Sequence, residues 1–380
     1  MKIIYKICQI IQKSKFRFFK PPEKKIVFFD AQSEKYLKGF FKQNEYFILF
    51  TRYEEINFYI IWKLIIKFKK ISLINYLTEL INCIKPKIVI TFVDNDLGFY
   101  RLKKLQKNII FIAVQNGTRF ITGDLLSTLS KNEKIYKTDY YFIFNDSYGK
   151  QVEKYIKSNF ITIGSLKNNI YSIRNENEIN SLCYISRMSN IFLDYAKVLD
   201  IQKIKENYKK WEVKLLVYTI DLLTNINKYC EINKIKLNIL GASQNFYLEE
   251  KFFKSIFKNN PFNFLQKKNT FNSYENIDRF SVAINAMSTF GYEAIARKKK
   301  VCFFSGDFIE GSNFLWPISN IKKGNFFSNS NDLKEVTRIL DYLLNLNQEA
   351  WHQEINDYNK KLFYYDEDNK QFKSFIKKLI

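Results

Sequence analysis

A chain of 380 residues is long enough for two core-bearing domains, and its 46% hydrophobic content is that of a folded protein. Its 61 Lys and Arg against 38 Asp and Glu give a formal net charge of +23, which favours polyanionic partners: nucleotides, nucleic acid or an anionic membrane face. The abundance of Lys, Asn, Ile, Phe and Tyr beside only 11 Gly and 5 Pro is the bias of an AT-rich genome, and about half of the basic excess is assigned to that bias.

In chain order, Lys25 to Asp30, Tyr46 to Thr51, Lys87 to Phe92, Ile109 to Val114, Tyr140 to Phe144 and Phe160 to Ile163 are short apolar or β-branched runs that predict strands. Helical patterns lie between them, notably Ile56 to Lys69 and Leu73 to Ile84. The polar stretch Asn168 to Asn180 reads as a linker. Ser181 to Ser186, Lys236 to Leu240, Phe262 to Leu265, Ser281 to Asn285 and Val301 to Phe304 open a second set of strands, and Asp332 to Leu344 and Gln348 to Lys378 read as closing helices. Alternating strands and helices imply parallel sheets covered on both faces, hence two doubly wound Rossmann-like α/β domains. The expected division is residues 1–170, residues 181–345, and a helical segment 346–380.

The five cysteines, Cys8, Cys83, Cys183, Cys230 and Cys302, are scattered with no C-x-x-C pair and read as buried, reduced thiols. A single histidine, His352, argues against zinc chemistry and a histidine-based triad. Lysines interrupt every apolar run before the about 18 residues a membrane span requires. Met1 to Lys20 has no small-residue cleavage site, so a cytoplasmic location is expected. The stretch Phe58 to Lys70, apolar with lysines, admits two readings: a buried helix with a lysine edge, favoured by its high apolar content, or a membrane-interface helix with its tryptophan and lysines at anionic head groups. Lysines are spread along the whole chain with no nucleic-acid-binding motif, so nucleic acid is not an expected partner.

Chemistry concentrates at residues 281–304. Ser281 to Asn285 is a strand run, Ser288 an N-cap, and Thr289 to Arg297 a helix stopped by Lys298 to Lys300. The unpartnered first-turn N–H groups of such a helix suit a phosphate. Gly291, costly early in a helix by about 1 kcal/mol, fits a place where backbone or ligand comes close. Thr289 and Glu293 stand four apart on one face, and a carboxylate there could accept hydrogen bonds from a ribose diol. The plain alternative is an ordinary βαβ unit with a capping serine and a solvated glutamate.

The segment Ser288-Thr289-x-Gly291-Tyr292-Glu293-Ala294-x-Ala296-Arg297, followed by Lys300-Val301, resembles the donor-nucleotide motif of GT-B glycosyltransferases, in particular bacterial capsule and O-antigen biosynthesis proteins. Shorter matches lie at Thr91-Phe92-Val93-Asp94-Asn95, Gln115-Asn116-Gly117-Thr118-Arg119, Ile163-Gly164-Ser165-Leu166-Lys167-Asn168-Asn169 and Trp316-Pro317, in the order and spacing of that group. The resemblance implies two domains facing across a cleft. Ser288, Thr289 and the helix start would hold the donor phosphates, and Glu293 the ribose. Gly164 and Ser165 resemble the phosphate-side loop, with Lys167 nearby.

Ligands of doubly wound sheets bind at the carboxyl ends of the strands, which selects further residues. Asp94 or Asp96 is the expected acceptor-side base or orienting group, flanked by Asn95; an Asx turn or helix cap is the alternative. Gln115, Asn116, Gly117 and Arg119 are expected at the substrate, with a plain turn and surface arginine as the alternative. Ser186, Arg187 and Gly241 end strands of the second domain and are expected at the nucleotide. The expectation is a metal-independent glycosyltransferase with no cofactor beyond its nucleotide-sugar co-substrate, acting on a surface polysaccharide or lipid-linked glycan, peripheral to the inner membrane face. A nucleotide-sugar epimerase of the same fold and a non-catalytic nucleotide- or glycan-binding subunit are the alternatives.

Overall fold

A computed structural model of the protein describes residues 14–118, 125–131, 135–174, 178–188, 211–257, 260–269, 271–286, 288–305, 323–362 and 364–380. They form two compact units, one running up to Leu166 and regaining the chain at Asn369–Ile380, the other spanning Lys167–Asp368.

The first unit holds a short ribbon, β1 (Lys15–Arg17) and, after the sheet strands β2 (Ile26–Phe29) and β3 (Tyr46–Leu49), β4 (Glu55–Asn57). Its sheet continues with β5 (Ile88–Thr91), β6 (Ile110–Val114), β7 (Tyr136–Ile143) and β8 (Ile156–Thr162) in the order β3-β2-β5-β6-β7-β8, every pairing parallel. β2 and β5 read Ile-Val-Phe-Phe and Ile-Val-Ile-Thr and are buried throughout, as central parallel strands must be with helices on both faces. Helix Leu73–Ile84 starts on the Ser72 side chain and ends at Lys85 in a left-handed conformation, φ 54°.

The closing helical pattern, expected as one stretch from Gln348 to Lys378, is two helices. Gln348–Leu362 belongs to the second unit and Lys370–Leu379 to the first. The break falls at Asp368 and Asn369, both left-handed (φ 56° and 53°), a conformation that Asp and Asn tolerate better than most residues. Phe372 and Ile376 then complete the hydrophobic cluster of Ile26, Phe28, Ile88 and Phe142. Residues 346–380 therefore divide between the two units.

The second unit's sheet is β9 (Glu178–Ile185), β10 (Leu237–Leu240), β11 (Phe262–Leu265), β12 (Phe280–Asn285), β13 (Lys300–Phe304) and β14 (Phe327–Ser328), in the order β11-β10-β9-β12-β13-β14 and parallel throughout. Connection runs from β9 outward to β11, then restarts at β12 on the other side of β9. The strand order thus reverses between β9 and β12, which is where doubly wound sheets open a crevice at their carboxyl ends.

A buried ion pair fixes the entry to this unit. Arg297 donates to both carboxylate oxygens of Asp278 and to the carbonyls of Tyr171 (2.7 Å) and Ser172 (3.0 Å), so its planar fork is satisfied away from water. Nearby Lys299 donates to the Asp278 carbonyl at 3.0 Å. Burial pushes the Lys299 ammonium down to about 8, with the Asp278 charge opposing only part of the effect. Cys83, Cys183, Cys230 and Cys302 are free and buried as expected, while Cys8 lies outside the described residues.

The Lys299 shift has a testable sign. Between about 8 and the ordinary value of 10.5 the unfolded chain keeps a proton that the folded chain has lost, so folding gains stability as pH rises through this window, by up to about 3 kcal/mol, and loses it as pH falls through 8. Buried Tyr184 and Cys302, whose values are pushed up by burial, act in the opposite sense over the same alkaline range. Urea unfolding of wild type and Lys299→Met at matched pH isolates the lysine: the difference should move in favour of wild type from neutral pH to about pH 10. A pH-independent difference would show that Lys299 titrates normally.

Candidate functional site

The donor-side candidates converge at the β9/β12 reversal. Ile185, Leu240 and Asn285, the last residues of β9, β10 and β12, are in register, which sets Ser186, Gly241 and Ala286 side by side at the strand ends. Helix Thr289–Ala296 starts there, with Ser288 Oγ accepting the Phe290 N–H at 3.2 Å and Asn285 Oδ1 accepting the Ser288 N–H at 3.0 Å. Ser288 and Thr289 are half-buried.

Gly291 has a different reason to be glycine from the ligand approach considered in the sequence. A Cβ there would lie 2.2 Å from Asn285 Cγ and 2.4 Å from Asn285 Nδ2. The missing side chain is what lets the helix settle against the end of β12. The close approach at Gly291 is that of the Asn285 side chain.

The organising residue at this edge is Glu249, which sequence reading did not single out. It lies in the first turn of helix Phe246–Phe257, 0% exposed. Its carboxylate accepts the backbone N–H groups of Ala242 (3.0 Å) and Ser243 (2.8 Å) and the Ser186 hydroxyl. Burial raises its pKa, opposed by these same donors and by Lys267. An acidic first-turn residue is so ordinary a helix signal that sequence alone marks no site there. The Gly241 N–H meets the Leu265 carbonyl (2.9 Å), and a Cβ at 241 would lie 2.8 Å from the Phe264 ring and 3.3 Å from Glu249. The Gly241-to-Ser243 loop therefore gives its N–H groups to protein acceptors, which corrects its expected role as a nucleotide contact: it ties the ends of β9 and β10 together. Beside it, Arg187, half-buried with its pKa lowered by burial, lines a small cavity with Ser186, Met188, Thr219 and Ala286.

Glu293 is not a solvated face residue. It is buried, its carboxylate accepts the Tyr274 hydroxyl at 2.6 Å and lies 3.7 Å from Lys167 Nζ, and its carbonyl accepts Asn168 Nδ2 at 2.9 Å. Two residues selected separately from the sequence, Lys167 and Glu293, thus form an ion pair. A carboxylate with these partners has a structural load, so replacing it cannot leave the fold untouched as a purely ligand-facing glutamate would.

In the first unit, Asp94 follows β5, is 0% exposed, and accepts the Asn116 N–H at 3.2 Å and the Tyr141 hydroxyl at 2.6 Å. It holds the loop after β6 against the loop after β5, an orienting position and not that of a base facing solvent. Asp96 N-caps helix Leu97–Leu105 through the Gly98 N–H (2.7 Å) and is half-buried; Asn95 is exposed. Gln115 accepts from the Phe144 N–H (2.8 Å) and donates to the Gly117 carbonyl (3.0 Å), shaping that turn. Gly164 takes the left-handed φ of 72° that glycine accommodates, and Ser165 after it is buried. Arg119, Trp316 and Pro317 lie outside the described residues.

Over residues 112–380 the chain matches a protein family described as "putative O-antigen biosynthesis protein". No protein of curated function matches it. Among solved structures it is similar to Methanocaldococcus jannaschii UDP-GlcNAc 2-epimerase in complex with UDP-GlcNAc and UDP, at 10% identity and a TM-score of 0.51, over 93% of this chain and 99% of that one. S. aureus MnaA, in its structure with UDP, is similar at 10% identity and a TM-score of 0.51, over 96% of this chain and 98% of that one. A chain of the GtfA/B complex matches at 9% identity and a TM-score of 0.45, with 82% of this chain covering 61% of that one, so this chain spans less than two thirds of its length. These likenesses are of fold: two parallel α/β domains of the GT-B type.

Gly291 and Glu293 each carry a stability outcome. Gly291→Ala should destabilise the protein by about 1–3 kcal/mol through overpacking against Asn285, whereas in an Asn285→Gly background, which also removes the Asn285 Cβ that would lie 2.6 Å from the new methyl, the same change should cost far less or be favourable, because alanine is the better helix former. Equal cost in both backgrounds, read from urea midpoints, would reject the packing account. Glu293→Ala should lower unfolding stability by about 1–3 kcal/mol, since the buried Tyr274 hydroxyl loses its acceptor; an unchanged midpoint would return Glu293 to a purely ligand-facing role.

Proposed function

We propose, for a chain that belongs to this family of O-antigen biosynthesis proteins, that it is a glycosyltransferase moving a sugar from a nucleotide-activated donor to a surface polysaccharide or lipid-linked glycan acceptor. The observation that carries this reading is the convergence at the β9/β12 reversal of Ser186, Arg187 and the start of helix Thr289–Ala296. That edge offers a nucleoside diphosphate a guanidinium, hydroxyls and the positive end of a helix dipole. The M. jannaschii epimerase of the same fold holds UDP-GlcNAc and UDP, which supports a nucleotide sugar as the ligand class.

As the glycosidic oxygen of the donor breaks from the sugar, charge grows on the departing diphosphate. The positive end of the dipole of helix Thr289–Ala296 and the Arg187 guanidinium would meet that charge, a route that calls for no metal. Glu293, held by Tyr274 and Lys167, fixes the helix face next to the ribose. On the acceptor side Asp94 orients the Asn116 loop through its bonds to Asn116 and Tyr141. Asp96, the half-buried carboxylate of the pair, takes the proton of the acceptor hydroxyl.

An epimerase of this fold would change the sugar without an acceptor, so products separate the two readings: free nucleotide that appears only with acceptor supports transfer, and an altered nucleotide sugar supports epimerisation. For transfer, Asp96→Asn should lower turnover by roughly 10²-fold or more at nearly constant donor affinity, and Asp94→Asn should do so with an additional loss of acceptor affinity. Full activity of the double variant would remove both aspartates from the mechanism. Turnover should persist in excess chelator, and its loss with recovery on added divalent cation would replace the metal-independent mechanism.

A further inference from the structure

We propose that one face of the first unit, built from helix Phe58–Ile66 and the β1–β4 ribbon, docks on the surface of an anionic phospholipid bilayer. The inference goes beyond the transfer reaction and needs neither its donor nor its acceptor.

The helix is apolar on two sides. Its inner side buries Ile60 and Leu64 completely, and an outer stripe at positions i, i+4, i+7 and i+8 carries Phe58, Trp62, Ile65 and Ile66, with Trp62 58% exposed. The favoured sequence reading of a buried helix with a lysine edge is thereby corrected, since only half of its apolar surface has a protein partner. Phe68, just beyond the helix, is 98% exposed with φ 52°, so a bulky ring is turned outward in a conformation it rarely adopts.

The stripe continues onto the ribbon. β1 pairs in parallel with β4, whose last residue, Asn57, caps the helix, and this brings Phe16 and Phe18 against Phe58 with ring centroids 5.5 and 5.2 Å apart. Phe19 follows, 86% exposed, its carbonyl held by Asn57 Nδ2 at 3.1 Å. Isolated exposed apolar residues are ordinary on soluble proteins, whereas a contiguous patch of aromatic and aliphatic side chains marks an interaction surface.

Charge decides what the surface meets. Arg17 is paired with Glu55, Lys20 stands near Glu23, and Lys63 and Lys67 share the buried carboxylate of Glu79, leaving one net positive charge there. Lys15, Lys69 and Lys70 are exposed with no acidic partner among the described residues. Tryptophan and aliphatic side chains ringed by lysine suit the head-group boundary of an anionic leaflet. A second copy would set two positive faces against each other. No helix among the described residues is long and apolar enough to cross a membrane, so the contact would be peripheral.

The test uses the full chain with vesicles of phosphatidylcholine alone or mixed with phosphatidylglycerol, and nucleotide affinity measured in parallel. Wild type should sediment with the anionic vesicles and far less with neutral ones. Lys69→Glu with Lys70→Glu should weaken partitioning about tenfold or more and flatten its salt dependence. Trp62→Ser with Ile65→Ser and Phe68→Ser should weaken it to a similar degree at an unchanged urea midpoint, because the three side chains are exposed. Brominated acyl chains should quench a fluorescence component that Trp62→Phe abolishes. Wild-type failure to bind anionic vesicles, retention of binding by the triple variant, or a dimer that the triple variant dissolves would each overturn the proposal. Nucleotide affinity should be the same in all variants, so the donor-site reading stands or falls separately.

Discussion

The carboxyl-terminal edge of the second unit's sheet depends on a carboxylate that never meets solvent. Glu249 gathers two backbone N–H groups from the loop after β10 and the hydroxyl of Ser186 after β9, so one side chain fixes the carboxyl ends of two neighbouring strands. Burying an acid is costly, and the raised pKa of Glu249 records that cost even with three donors in place. Polar networks of this kind are stable only when every member is satisfied. The crevice between β9 and β12 inherits its shape from this closure, since Arg187 and Met188 follow directly from the clamped Ser186.

Much of the architecture was legible because parallel strands buried on both faces leave an unmistakable record: β2, β5, β10 and β13 are nearly continuous runs of Ile, Val, Leu and Phe. Helix Leu73–Ile84 and strand Phe262–Leu265 fall on their expected bounds, each punctuated by polar or turn residues. Ser288 was readable as a cap because capping is local chemistry. What resisted reading is non-local. Glu249 acts on residues six to sixty-three positions away, Gly291 is dictated by an Asn285 side chain, and Lys167 finds Glu293 across most of a domain. The outward apolar face of the helix at Phe58 is hidden from the sequence for a related reason: composition reports how apolar a segment is, and only its neighbours report which side is covered.

Asp94 shows how the same fact can serve two accounts. Its place after β5 was readable from topology, and its hydrogen bonds to Asn116 and Tyr141 turn it from a solvent-facing carboxylate into a strut between adjacent strand ends. A strut of this sort can still govern chemistry, because groups positioned within hydrogen-bond reach lose effect when displaced by an ångström.

The chain's return to its first unit has a consequence for biosynthesis. Asn369 reaches back to the Leu166 carbonyl across 203 residues, and Phe372 and Ile376 fill a core whose other members, among them Ile26 and Phe28, were translated long before. The intervening unit has Asn169 and Tyr171 near its start bonded to Asp366 and Tyr365 near its end, so it closes on itself as an insertion. At roughly 5–20 residues per second, the first sheet waits on the order of 10–40 s on the ribosome with part of its apolar face uncovered. The order of maturation is therefore reversed from the order of the chain: the inserted unit can finish first, and the unit that emerges first is sealed last.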